Sequence, residues 1–251
     1  MVNLGRGIFM KKKIKIGVSI LICVLTILFG IGLFLVNQDE KSLKQLKNEI
    51  DSIDNIIENE GIFSNNIDKK LKNNITSGDF VVVEKAVKNY FKDFVFETRK
   101  LINIYGDEDI EYLFSIENYK KDGKDFIETL VTLRTLENKV NDINDNLEKL
   151  FNEDKIMSYI DSADSYYKDY YRELMVDSDA YENIFKDING AKDIYVNMIN
   201  TMEDVFKFLS DNKDKWNIEE DTIVFENDED LNKYNELIEK IGKIEENGQN
   251  I

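Results

Sequence analysis

The sequence predicts a mainly α protein: a single N-terminal transmembrane helix, then an extracytoplasmic bundle of several helices, with a small β-hairpin near residues 215–226. Three observations predict it. The chain has no proline, where average usage of about 5% would place roughly a dozen, so nothing in it forbids long helices. Ile16 to Val36 is a run of 21 residues without a charge. Beyond that run, apolar residues recur at spacings of three and four, the period of an amphipathic helix.

At about 1.5 Å rise per residue the uncharged run covers about 31 Å, close to the roughly 30 Å hydrocarbon core of a bilayer. A helix satisfies its own backbone groups and so is the form that spans. Cys23, the chain's one cysteine, lies in mid-run. Ile20, Leu21 and Ile22 stand before it, where lipid attachment needs a small residue, and the run continues past it, so Cys23 reads as a small hydrophobe facing lipid. Gly30-Ile31-Gly32 imitates a signal-peptide cleavage site, but Leu33-Phe34-Leu35-Val36 follows, which favours a retained anchor. Arg6, Lys11, Lys12, Lys13 and Lys15 precede the run, and Asp39 and Glu40 follow it. The positive-inside rule then makes 1–15 a short basic cytoplasmic segment, 16–36 the span and 37–251 an acidic helical extracytoplasmic domain.

Composition limits the chemistry of that domain. The first fifteen residues hold five of the 33 basic residues and none of the 50 acidic ones, so the rest is more acidic than the overall charge of −17. Such a field repels nucleic acid and anionic headgroups and favours cations or basic partners. There is no histidine, and no cysteine outside the membrane run. Zinc sites of Cys/His type, Ser-His or Cys-His catalysis and disulfides are thereby excluded from the outer domain. No phosphate-binding glycine loop, nucleophile elbow or HExxH is present. The sequence therefore implies no cofactor and no metal, and a non-enzymatic protein.

The helices follow in order. Leu43, Leu46, Ile50, Ile53 and Ile57 form an amphipathic stripe that Gly61 ends. A shorter helix carries Ile67, Leu71 and Ile75. After a cap at Ser77 or Asp79, a segment reaching Tyr105 is apolar around much of its circumference and belongs deepest in the core. Asp107 caps a short helix with Ile110, Leu113 and Phe114. Phe126 to Leu150 holds the longest regular stripe; Ile156, Ile160, Ala163, Tyr167, Tyr170 and Leu174 give a second, with Asn152 as the cap between them. A further helix starts at Ser178, with Gly190 in its middle as the expected point of close helix–helix approach. Trp216–Ile218 and Thr222–Phe225 read as the two strands of the hairpin, although the turn lacks Asn-Gly or Asp-Gly. Asn227 or Asp228 caps a last helix.

Two stretches meet most of the calcium-loop pattern: Asp142, Asn144, Asn146 and Glu153, and Asp228, Asp230, Asn232 and Glu239. Both lack the glycine of the sharp turn and fall where the apolar period demands helix, which would splay the ligands. Tyr159, Tyr166, Tyr167, Tyr170 and Tyr171 could line a groove, since each ring offers apolar area and a hydroxyl; the structural alternative packs Tyr167 and Tyr170 in the core. The partner-binding candidates are Tyr159, Tyr166, Tyr171, Arg172 and Trp216. The expected function is a membrane-anchored extracytoplasmic binding or interaction module with a protein partner in or at the membrane. The alternatives are a ligand- or cation-sensing domain that works through a membrane partner, and a carboxylate-based hydrolase.

Overall fold

The computed structural model describes residues 40–105, 108–176 and 178–247. The run Ile16–Val36, which carries the transmembrane prediction, lies outside the described residues, as does Asp107. Among the described residues, no helix is long and apolar enough to cross a membrane. They form helices α1 (Glu40–Glu60), α2 (Asn65–Lys72), α3 (Val81–Tyr105), α4 (Glu108–Leu113), α5 (Ile116–Asp122), α6 (Ile127–Leu150), α7 (Glu153–Ser158), α8 (Ser165–Met175), α9 (Ser178–Asp211) and α10 (Asp228–Asn247). Strands β1 (Trp216–Glu219) and β2 (Thr222–Phe225) lie between α9 and α10. The mainly helical prediction and its hairpin are both met.

Two compact units divide the chain. One holds the described residues among 40–102 and 143–189, and is called here the α1 unit; the other holds those among 103–142 and 190–247, and is called the hairpin unit. The divisions fall inside α3, α6 and α9.

In the α1 unit the predicted stripe of α1 buries Leu46, Ile50, Ile53 and Ile57, and α3 buries Val83, Val87, Tyr90, Phe91 and Phe94. Each such side chain contributes about 1.5–3 kcal/mol by leaving water. Edge-to-face ring pairs fix the packing: Phe80 with Tyr170 at 5.6 Å, Tyr90 with Tyr159 at 5.9 Å and Phe94 with Phe151 at 6.1 Å between centroids. Helix α1 ends where Gly61 takes φ +83° and donates its N–H to the Ile57 carbonyl, a conformation that glycine adopts without Cβ strain.

The hairpin unit is built around one aromatic cluster. Phe126 lies 5.1 Å from both Tyr119 and Phe206 and 6.0 Å from Trp216, with which it is stacked. The strands pair antiparallel, Trp216 opposite Phe225 and Glu219 opposite Thr222, around a two-residue turn with Glu220 at φ +55°. Trp216 and Ile223 face inward and Asn217 and Val224 outward, as the two-residue period of a strand requires. Helix α6 starts without a cap of its own. Instead Asp122 accepts from the Glu128 and Thr129 amides at 3.0 and 2.8 Å, while Phe126 takes φ +50° to turn its ring into the core. That backbone costs about 1–2 kcal/mol, which the buried ring offsets.

Several local expectations are corrected. Ile156 to Leu174 is not one helix. Asp161-Ser162-Ala163-Asp164 forms a turn between α7 and α8, and Asp164 occupies the N-cap position. Ile75 lies outside α2, which ends at Lys72. A second short helix, α5, follows α4, with the Ser115 hydroxyl accepting from the Asn118 amide. Gly190 is no point of close approach: a Cβ built there meets nothing within 4 Å. Asn152 does cap α7, accepting from the amides of Asp154 and Lys155, and Asn227 caps α10, accepting from that of Asp230.

Candidate functional site

The nominated residues are divided between the two units. Tyr159, Tyr166, Tyr171 and Arg172 belong to the α1 unit, and Trp216 to the hairpin unit. On α8, Tyr166, Tyr171 and Arg172 are five and six residues apart, so at about 100° per residue they point in three directions rather than along one face. Tyr171 is fully buried and Trp216 is 1% exposed, with its indole N–H donating to the Leu209 carbonyl at 2.8 Å. Both are core residues in this structure and offer a partner no surface. The core tyrosine of α8 is thus Tyr171, while Tyr167 and Tyr170 are half-buried. Tyr166 is half exposed, its ring edge-on to Tyr167 at 5.0 Å. Arg172 lies at the surface, 3.0 Å from Glu153.

Tyr159 is held on three sides. Its hydroxyl donates to Asp93 at 2.6 Å, its ring meets Tyr90, and the Lys155 ammonium lies 4.6 Å over that ring. Burial, then the Asp93 carboxylate, raises its pKa far above the usual phenol value. The phenol stays protonated and acts as a fixed donor.

Two polar centres escaped the sequence reading. The first joins α1, α3 and the 73–76 segment. Lys88, 2% exposed, donates to Glu84 at 2.8 Å and to the Asn73 carbonyl at 2.6 Å, and lies 3.5 Å from Glu49. Glu84, fully buried, also accepts from the Ile75 and Thr76 amides at 2.8 Å and from the Thr76 hydroxyl. Burial pushes the Glu84 carboxyl up, but the bonds from Lys88, Thr76 and the two amides together outweigh it and hold it below the usual carboxylate range. The second is Asp54 on α1. Its Oδ1 is buried without a hydrogen-bond partner, and burial, then Asp51 and Glu58, raises its carboxyl to about 7. A signal for both existed. Glu84 and Lys88 follow Phe80 at i+4 steps, and Asp54 follows Ile50 at i+4, so all three sit inside apolar faces.

No group of three or more carboxylates among the described residues is placed to hold a metal ion. Asp142, Asn144 and Asn146 lie on α6 and Glu153 starts α7; the second calcium-like set lies on α10. Asn144 instead donates to Glu148 and Asn189, and Asn227 to Asp230. Compared with known protein families, with characterised proteins and with solved structures, the chain matches none.

Proposed function

We propose that the chain is a single-pass membrane protein whose acidic helical domain, displayed outside the cytoplasm, acts as a non-catalytic interaction module. The observation that carries this reading is the 21-residue uncharged run from Ile16 to Val36, with basic residues before it and acidic ones after. Anchoring holds the domain at the surface and raises its effective concentration towards partners there. Two features of the described residues support the interaction role. The buried polar groups with the most contacts serve packing: Glu84 and Lys88 bind each other, and Tyr159 binds Asp93. Large apolar side chains meanwhile stand in water, among them Phe63 and Phe96 in the α1 unit and Ile127 and Val131 in the hairpin unit.

The test has two arms. Protease added to whole cells digests residues 37–251 if the domain faces outward, and crosslinking in intact membranes then returns a specific partner. Full protection from protease rejects the topology. Digestion without any specific crosslink rejects the interaction role.

A further inference from the structure

The chain holds 50 acidic and 33 basic residues, yet the solvent-facing stripe of α3 carries no acid. Between Val81 and Ile102 the exposed residues of this helix are Lys85, Asn89, Lys92 and Phe96. Their spacing of four, three and four holds them within a sector of about 60° and runs them about 16 Å along the axis. The acids of this stretch are turned about 70° or more from the stripe's midline. Glu84 is fully buried, Asp93 accepts from the Tyr159 hydroxyl, and Glu97 pairs with Lys100 at 2.7 Å. Lys85 and Lys92 make no hydrogen bond or ion pair among the described residues. Phe96 is 59% exposed, with the Lys100 ammonium 5.0 Å from its ring centre. Arg99 donates to the Ile62 carbonyl at 2.9 Å and to Asp68 at 2.8 Å, which fastens the turn bearing the exposed Phe63 beside that end of the stripe.

We propose that this stripe of α3 is the docking face for an acidic amphipathic helix of a partner protein. The partner's apolar residues cover Phe96, and its carboxylates meet Lys85 and Lys92. Two observations select that occupant. Steps of four and three form the seam along which one helix packs on another, so the stripe is shaped for a helix. Its charge is opposite in sign to the chain's −17, so it attracts an acidic segment, whereas a basic partner is drawn to the acidic bulk instead. At physiological salt, charges beyond about 8 Å are largely screened, so the contact lysines outweigh the distant acids. Exposed aromatic rings belong to interfaces more than to surfaces that only keep a chain dissolved. The chain's own bilayer is disfavoured as occupant, because Phe63 lies past the far end of α1, about 30 Å along that helix from Glu40. The interaction role proposed above, on which this surface rests, thereby gains a place and a partner chemistry.

The test keeps the full chain in intact membranes and places a photoreactive benzophenone side chain at Asn89, between the two lysines. Light is expected to join position 89 to one protein. Mass spectrometry then reads the joined segment as rich in Asp and Glu, with apolar residues at helical spacing. Lys85→Glu with Lys92→Glu lowers the yield about tenfold or more, and Phe96→Ser does so separately, while Lys139→Glu on α6 leaves it unchanged. All of these side chains are exposed, so melting temperatures stay close to that of the unaltered chain, and two independent variants keep one misfolded chain from deciding the matter. An adduct to lipid, a joined segment without an excess of acid, or a yield that survives charge reversal overturns the proposal. No adduct at position 89 while crosslinking elsewhere still returns a partner rejects this face and spares the interaction role. Silence in both rejects both.

Discussion

The ammonium of Lys124 lies 4.8 Å over the ring of Trp216 and donates a hydrogen bond to that residue's own carbonyl oxygen. It also donates to the Lys213 carbonyl at 2.7 Å and to the Asn217 side chain at 2.9 Å. One lysine ahead of α6 thus holds both the main chain and the ring at the start of β1. Lys124→Met keeps the side chain's bulk and removes all four contacts. The expected cost is about 2 kcal/mol in urea unfolding. Trp216 is the only tryptophan, so its fluorescence reads the local change directly, as a shift to longer wavelength in the folded variant.

Glu84 makes stability fall in acid. Its folded pKa is depressed, so its contribution is present above the unfolded value of about 4.3 and is lost as pH drops through the folded value. Thermal melts from pH 7 down to about pH 3 are expected to show a loss that Glu84→Gln largely abolishes. At neutral pH the same substitution takes from the buried Lys88 the nearer of its two carboxylates, leaving Glu49 at 3.5 Å, and costs about 1.5–3 kcal/mol.

Asp54 acts with the opposite sign. Its folded pKa is raised from 3.8 to about 7, so the folded chain keeps a proton that the unfolded chain gives up, and stability falls as pH climbs between those values. Asp54→Asn is expected to stabilise by about 1–2 kcal/mol above pH 7, after discounting for solvent screening, with the gain fading towards about pH 4. Paired melts at the two ends of that range measure it.

Gly190 lies inside α9 with open space where a Cβ would stand. Gly190→Ala is expected to raise stability by about 0.5–1 kcal/mol, because alanine has less freedom to lose in the unfolded chain. A lower melting temperature for this variant would mean that the position is crowded after all.

Much of the helical fold could be read directly because it is written in period. The stripe Leu46, Ile50, Ile53 and Ile57 is buried as spaced, and the hairpin strands start and stop within a residue of their expected places. What stayed hidden depends on the third dimension. Glu84 and Lys88 at i, i+4 look like a solvated surface pair, and only the 73–76 segment folding over α3 makes them internal. The break at 161–164 lacks glycine and proline, so its Asp-Ser-Ala-Asp wording was overrun by the apolar spacing on either side. Trp216 looked like a contact residue because a lone tryptophan in a short strand does not reveal which side of the hairpin meets the protein.

The corner between α5 and α6 is closed by short-range bonds. Asn118 donates to the Leu113 carbonyl and the Thr129 hydroxyl, and Asp122 receives the first free amides of α6, all across separations of 5 to 11 residues. The Lys124 contacts to Lys213 and to β1 span 89 to 93. Closing a loop costs more as it lengthens, so the corner assembles early from one stretch of chain and the strands arrive late onto a formed surface. Loosening the corner with Asn118→Ala is therefore expected to slow refolding, whereas Lys124→Met chiefly quickens unfolding, a division that stopped-flow fluorescence of Trp216 resolves.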